Sequence, residues 1–272
     1  MNTSLRSKLI SSPYIVWAIL FIIAPLIFVI YYSFTTSSGS FTLDNIRLLA
    51  KYLPTFLRSI WFGIVATIIC LIIAFPLAYI ISQKTDKVQR TLILLVMLPM
   101  WMSFLIRTYS WMALLQDTGI INSFLSKLGI NPIHMINTSG AVILGMVYNF
   151  LPYMIMPIYS CLAKLDCSMV EAAQDLGSNR LNVIRKCIIP MSMPGVVSGI
   201  TMVFVPSVST FYISQKLGGG SFDLIGDVIE RQFQQSYNYN LGASLSLVLM
   251  ILILICMAVM NHFSGDEEGM VI

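Results

Sequence analysis

Residues 171–190 read EAAQDLGSNRLNVIRKCIIP and place charged and amide side chains and a glycine between two long apolar runs. Ser168 precedes Glu171 by three positions, which is the spacing of a capping box at the start of a helix. Gly177 suits the end of that helix, because glycine readily adopts the left-handed conformation common after a last helical turn. The pattern predicts a short helix with Glu171 and Asp175 four positions apart on one side.

A second short helix is predicted from about residue 179 to 189, ending at Pro190, because proline interrupts a helical hydrogen-bond pattern. Both short helices lie in a polar loop of residues 160–194. The side chains of Ala172 and Ala173 are small enough to allow another helix to approach closely. The loop is therefore predicted to hold two short helices with a turn between them at Gly177.

Outward from this loop, the chain alternates between apolar runs and short polar connections. The apolar runs cover residues 14–32, 60–81, 91–115, 140–159, 195–213 and 242–260. Each is close to the length of about 20 residues that a membrane-spanning helix needs. A spanning segment must satisfy its own backbone hydrogen bonds, so the runs are predicted to be helices. We expect an all-α polytopic membrane protein with six transmembrane helices in one domain, residues 1–272.

The composition supports a membrane protein and excludes several other classes. The chain is 57% hydrophobic and only 10% charged, whereas a soluble domain carries about 25% charged residues. The net charge of +4 gives no reason to expect nucleic acid as a partner. The five cysteines show no metal-binding spacing. No polar stretch is long enough for a soluble catalytic domain, so we expect any ATPase to be a separate chain.

The distribution of lysine and arginine predicts the orientation, because cytoplasmic loops carry more of them. The tight loop with Lys84, Lys87 and Arg90, between the second and third runs, has the highest density of positive charge. With that loop inside, the N- and C-termini and the loop of residues 160–194 are all predicted to be cytoplasmic.

The order E-A-A-x-x-x-G, nine further residues and an apolar triplet closed by proline resembles the EAA loop of ABC importer permeases. Glu171, Ala172, Ala173, Gly177 and Pro190 match, and Cys187 and Ile189 replace the isoleucine and leucine usual in that family. The resemblance implies a type I, MetI-like permease architecture in the bacterial inner membrane. It also implies that this loop is a coupling helix, which docks on an ATPase dimer and receives the force of ATP-driven closure. We call residues 171–177, which include the expected coupling residues Glu171, Ala172, Ala173, Asp175 and Gly177, the docking segment. The permease itself would hold no cofactor, and ATP and magnesium would bind the partner ATPase.

The resemblance is closest to the first permease subunit of spermidine/putrescine importers. It is carried by residues 98–109, 148–159, 171–195 and 211–226. It implies three partners: a second permease that completes a heterodimer, the ATPase dimer, and an extracellular binding protein that delivers the substrate. Related permeases import thiamine, iron or phosphonates, and these cargoes remain alternatives.

A flexible polycation is recognised by aromatic faces and by carboxylates. The candidate aromatic residues lie within or beside the predicted spans: Trp101, Tyr109, Tyr148, Tyr153 and Tyr212. The candidate carboxylates lie in the predicted outer loops: Asp117, Asp223, Asp227 and Glu230. The aromatic residues could equally form an interfacial belt, and the carboxylates could be ordinary solvated loop charges.

Arg107 is the basic residue predicted to lie within a span, where a charge is costly. Because a cation would repel a polycation, we expect a structural role for Arg107, with a helix end or a partner carboxylate as its counterpart.

The residues in the predicted spans do not favour two other classes of membrane protein. An ion-coupled secondary transporter commonly places ionisable relays in its spans, but no predicted span of this chain holds an acidic residue. An intramembrane enzyme would need a catalytic pair or a metal site in a span. His134 and His262 both lie outside the predicted spans.

Overall fold

The computed structural model describes residues 13–36, 38–165, 175 and 178–265, and these residues are almost entirely helical. The helices in chain order are α1 Pro13–Ser33, α2 Asp44–Leu48, α3 Leu53–Ser82, α4 Asp86–Met97, α5 Phe104–Leu115, α6 Ile120–Lys127, α7 Ser139–Leu162, α8 Arg180–Val183, α9 Ile189–Ser209, α10 Tyr212–Leu217, α11 Ile225–Gln234 and α12 Tyr239–Gly265. The predicted all-α class is confirmed.

Within the described part of the chain, five helical segments are long and apolar enough to cross a membrane. They are Pro13–Ser33, Asp44–Ser82, Ser139–Leu162, Ile184–Ser209 and Tyr239–Met260. A sixth span results if the bent pair Asp86–Trp101 and Phe104–Lys127 is counted as one. The membrane architecture predicted from the apolar runs therefore agrees with the helices of the structure.

The third apolar run, residues 91–115, does not form one straight helix. The helical segments on either side of residues 102 and 103 are bent by 87°. Pro99 lies in a 3₁₀ turn, and Met102 and Ser103 then adopt extended backbone angles, with ψ of 145° and 131°. Proline cannot donate the helical hydrogen bond, which helps to explain why the helix breaks here rather than continuing.

The prediction that a helix ends at Pro190 is wrong. A π-helical turn, Ile184–Ile188, links α8 to α9, and the amide of Ile189 donates to the carbonyl oxygen of Ile184. This wider turn leads into α9 with Pro190 in its first turn, where proline's missing N–H is not required. The helix thus passes through Pro190 and ends only at Ser209.

The described residues form two compact units, one of residues up to Pro54 with Val228–Leu252, the other of Thr55–Asp227 with residues from Ile253 onward. In the first unit, polar side chains of α12 donate hydrogen bonds to carbonyl groups at the end of α1, which have no intrahelical donor. Asn240 donates to the carbonyl oxygens of Tyr32 at 3.1 Å and Thr35 at 2.6 Å. The hydroxyl of Ser244 donates to the carbonyl oxygen of Ser33 at 3.1 Å.

In the second unit, the most extensive helix pairing is between α7 and α9. Two glycines of α9 permit the close approach. A Cβ atom at Gly195 would lie 2.7 Å from the carbonyl oxygen of Pro157, and one at Gly199 would lie 2.7 Å from the sulfur of Met154. Small residues at membrane helix interfaces allow such backbone contacts. The two helices that flank the predicted docking segment are therefore packed backbone to backbone.

Candidate functional site

The predicted docking segment is only partly described. Glu171, Ala172, Ala173 and Gly177 lie outside the described residues, whereas Asp175 is helical and exposed. After it, the side chain of Asn179 accepts a hydrogen bond of 2.9 Å from the amide of Asn182 and so caps α8. This cap fixes the point at which the polar segment enters the long helix that continues as α9.

Trp101 lies at the bend between α4 and α5 and is the last residue of the 3₁₀ turn. Its side chain is 72% exposed, similar to the 62% of Trp61 on α3. The helix break therefore presents an indole at the surface of this unit, as the predicted role in a substrate path requires.

The predicted tyrosines of α7 have different surroundings. Tyr148 contacts Trp111 edge to face, with ring centroids 5.3 Å apart, and so helps to pack α7 against α5. Tyr153 lies 6.5 Å from Phe150 and remains 41% exposed. Tyr148 is thus engaged in helix packing, and Tyr153 is available at the surface of the unit.

Tyr109 on α5 and Tyr212 on α10 are brought together. Their ring centroids are 6.2 Å apart at an interplanar angle of 86°. The ring of Phe104 lies 5.9 Å from that of Tyr212 and extends the cluster. The Nζ atom of Lys216 lies 5.5 Å from the ring centroid of Tyr109 and 5.7 Å from that of Tyr212. We call Tyr109, Tyr212 and Lys216 the tyrosine–lysine cluster.

The predicted carboxylates occupy different environments. Asp117 accepts from Nδ1 of His134 at 3.0 Å, and both side chains are more than half exposed. Asp227 is 3% exposed, and its carboxylate accepts from the hydroxyl of Ser214 at 2.9 Å and from the amide of Leu224 at 2.8 Å. Asp223 and Glu230 are half-buried and engaged in further contacts. Of the four, Asp227 is held by hydrogen bonds that fix the start of α11.

Arg107 is 92% buried, since its exposed fraction is 8%. Within the described residues, its Nε and Nη1 atoms have no hydrogen-bond partner. The carbon Cζ lies 5.9 Å from the ring centroid of Phe104. The guanidinium thus lies beside an aromatic ring of its own helix, and its expected pairing with a helix end or with a carboxylate of a partner chain stays a prediction.

An apolar groove lies between α3, α9 and the C-terminal half of α12, where Ile68, Phe204 and Val259 contribute to its lining. The hydroxyl of Thr67 in this lining already donates to the carbonyl oxygen of Gly63 at 2.7 Å. A cation would meet no carboxylate there. Among the described residues, no group of three or more His, Cys, Asp or Glu side chains could hold a metal ion.

Sequence reasoning missed Lys216 as part of the aromatic site. The signal was available, because Tyr212 and Lys216 are four positions apart and share one face of a helix. What the sequence could not give is the arrival of Tyr109 from α5, which is 103 positions before Tyr212 in the numbering.

Residues 3–264 match the family described as the inner membrane component of binding-protein-dependent transport systems. The chain belongs to that family. The predicted resemblance is thereby confirmed: this inner membrane component is a transport subunit rather than an enzyme, and it works with a substrate-binding protein.

Curated relatives extend the similarity over most of the chain. The spermidine/putrescine transport system permease protein PotB of Salmonella typhimurium (strain SL1344) is 38% identical over 85% of this chain and 84% of its own length. PotB of Escherichia coli (strain K12) is 39% identical over 80% of this chain and 82% of its own length. The inner membrane ABC transporter permease protein YdcU of Escherichia coli is 31% identical over 70% of this chain and 66% of its own length.

A crystal structure of a bacterial ABC transporter involved in the import of the acidic polysaccharide alginate has the same fold as this inner membrane component. The TM-score is 0.78, with 18% identity and 96% of both chains covered. At this identity the likeness supports the fold alone.

Proposed function

We propose that this chain is the permease subunit of an ATP-driven importer that carries polyamines, spermidine or putrescine, into the cytoplasm. The observation that carries the cargo assignment is the similarity, over most of both chains, to permeases named for spermidine/putrescine transport. The tyrosine–lysine cluster supports it chemically, because two aromatic faces hold a primary ammonium group of the kind that ends a polyamine.

The proposal includes two partners besides the binding protein. A second permease completes the translocation path, and an ATPase dimer binds the loop of residues 160–194. ATP and magnesium bind the ATPase, and this chain holds no cofactor of its own. Both termini lie in the cytoplasm, as the charged loop with Lys84, Lys87 and Arg90 indicates.

The described helices suggest how force reaches the path. From Arg180 onward, α8 leads through a π-helical turn into α9 without a break. α9 packs backbone to backbone against α7 through Gly195 and Gly199, and α7 contacts α5 and α10. A displacement of the docking segment would therefore reach the helices that carry Tyr109 and Tyr212 through continuous packed contacts.

The path residues are proposed in two groups. Tyr109 and Tyr212 contact a substrate ammonium directly, and Trp101 offers an exposed aromatic face at the helix break. The second group lies along the route without a defined contact to the substrate: Tyr153, Asp117, Asp223 and Glu230. Tyr148 and Asp227 hold the helices that position the other residues.

The test is uptake of radiolabelled spermidine into proteoliposomes that contain this chain with its second permease and ATPase, in the presence of the binding protein. Uptake should require ATP on the side of the membrane that carries the ATPase. It should persist when ion gradients are collapsed. Uptake driven by an ion gradient without ATP would instead indicate a secondary transporter. A deletion strain that imports polyamines normally but loses thiamine, iron or phosphonate uptake would reassign the cargo.

A further inference from the structure

We propose that the facing rings of Tyr109 and Tyr212 form a seat for one primary ammonium group of the substrate, and that Lys216 occupies this seat until a substrate ammonium displaces it. The inference rests on the proposed function, since it takes a polyamine as the ligand. It adds a defined contact point and an internal competitor, neither of which follows from the similarity to other permeases.

The geometry fits a cation bound by two aromatic faces. The Nζ atom of Lys216 is 5.5 Å and 5.7 Å from the two ring centroids, within the roughly 6 Å at which a cation is attracted by a ring face. The two rings are nearly perpendicular, so a single ammonium group contacts both at once. The seat is therefore shaped for one charge.

Besides the two rings, the ammonium group of Lys216 reaches the hydroxyl of Tyr109. Within the described part of the chain, Lys216 has no ion pair with a carboxylate. Displacing Lys216 from the seat breaks no carboxylate contact of that ammonium. Another ammonium group can therefore exchange with it at low cost.

The lysine side chain is also a close chemical copy of the ligand. Four methylene groups and a terminal ammonium are the same unit as the aminobutyl end of putrescine and spermidine. A seat that accommodates this side chain accommodates the substrate end with the same contacts. Lys216 is half-buried, and its flexible stem lets it leave the rings without a change in the backbone.

A second positive charge lies nearby. Arg107 contacts Phe104, and Phe104 contacts Tyr212, so a second cation lies within two ring contacts of the seat. This arrangement weakens the binding of a further cation and shortens its stay. A transport path needs such binding, because a substrate that is held tightly does not move on.

The experiment compares Lys216→Gln with Lys216→Arg in the complete importer, by measuring the spermidine concentration that gives half-maximal ATP-dependent uptake. Removing the internal competitor should lower this concentration by about two- to five-fold, the effect of one exposed cation–π contact. Lys216→Arg keeps a cation over the rings and should stay near the wild type. Both substitutions are at a side chain outside the core, so assembly can be verified by co-purification of the subunits.

The double variant Tyr109→Leu/Tyr212→Leu should raise the half-maximal concentration and abolish the effect of adding Lys216→Gln. Tyr31→Leu, an exposed tyrosine of α1 outside the proposed route, is the matched control. Equal half-maximal concentrations for the wild type and Lys216→Gln, or an unchanged effect of Lys216→Gln without the two rings, would overturn the seat while leaving polyamine import intact. A wild-type importer that moves no spermidine would overturn the proposed function and the seat's ligand together.

Discussion

The backbone amide of Ile225 donates a hydrogen bond of 2.7 Å to the hydroxyl oxygen of Ser59, 166 positions earlier in the chain. Ser59 is fully buried in α3, and its hydroxyl in turn donates to the carbonyl oxygen of Thr55 at 3.0 Å. Ile225 is the first residue of α11, where backbone N–H groups have no intrahelical acceptor. One serine thus satisfies an unpaired helix-terminal amide and fixes the beginning of α11 to a long apolar helix.

Ser59→Ala should destabilise the protein, because the buried amide of Ile225 then has no acceptor. The expected cost is about 1–3 kcal/mol, the penalty for an unsatisfied buried donor. It can be measured as a lower thermal unfolding midpoint in detergent and as faster hydrogen exchange at Ile225. Ser110→Ala is the matched control, since Ser110 is exposed and its hydroxyl bonds only to its own helix. Equal losses in both variants would show that the long-range bond contributes nothing.

Asp227→Asn should also destabilise the protein, and it should leave the half-maximal spermidine concentration of the assembled importer unchanged. The carboxylate accepts from both Ser214 and Leu224, and an amide oxygen can replace only part of that pattern. Losing a charge-assisted bond costs about 1.5–3 kcal/mol. Thermal unfolding and uptake are measured on the same preparation.

Asp44→Asn is the control for this substitution, because the side chain of Asp44 is 76% exposed and a change there should stay within about 0.5 kcal/mol. A stable Asp227→Asn variant with a strongly raised half-maximal concentration would mean that Asp227 contacts the substrate, as the sequence first suggested.

The apolar runs and Asp227 show what the sequence can and cannot reveal. The apolar runs predict the spans because a bilayer constrains every residue of a run in the same way. The sequence made Asp227 a candidate for substrate contact, with an ordinary solvated loop charge as the alternative, because it lies in a polar stretch. Its burial depends on Ser214 and Leu224 folding over it, and no local pattern reports such a contact.

The size of the bend between α4 and α5 could not be predicted, for a similar reason. Pro99 predicts a local disturbance, but membrane helices tolerate proline when neighbouring groups satisfy the freed backbone. Whether a helix bends slightly or turns by 87° therefore depends on its neighbours. The tyrosine–lysine cluster was predicted only in part. Tyr109 and Tyr212 were candidates from residue type alone, but their pairing depends on the packing of α5 against α10.

Gly195→Ala should weaken the pairing of α7 and α9. The added Cβ atom would lie 2.7 Å from the carbonyl oxygen of Pro157, a backbone atom that cannot move away without shifting α7. Overpacking of this kind costs about 1–3 kcal/mol. Thermal unfolding and ATP-dependent uptake should both decrease, because this interface lies next to the docking segment.

Gly140→Ala is the matched control in α7, since a Cβ atom there would lie 3.7 Å from the nearest neighbouring atom, the hydroxyl of Thr138. A Gly195→Ala variant as stable and as active as Gly140→Ala would mean that α7 and α9 can separate without consequence for folding or transport.

The docking segment gives the prediction on which the proposed mechanism depends most. Glu171→Lys reverses the charge offered to the ATPase, and Gly177→Pro removes the freedom for a sharp turn between the two short helices. Both variants should insert in the membrane and assemble with the second permease, because neither residue lies in an apolar run. ATP-dependent uptake of spermidine should be lost, and the ATPase should co-purify less strongly or hydrolyse ATP without transport.

Lys164→Glu separates this effect from a general sensitivity of the loop to charge. Lys164 is exposed and lies in the same polar loop, seven positions before Glu171, so its reversal changes the loop's charge without changing the motif. Uptake with Lys164→Glu should stay near the wild type while Glu171→Lys abolishes it, since only the latter would lie in the ATPase interface. If both reversals reduce uptake equally, the loop acts through its overall charge near the membrane surface. If neither does, force reaches α9 by a route that bypasses the motif, and the assignment of residues 160–194 as the ATPase contact is wrong.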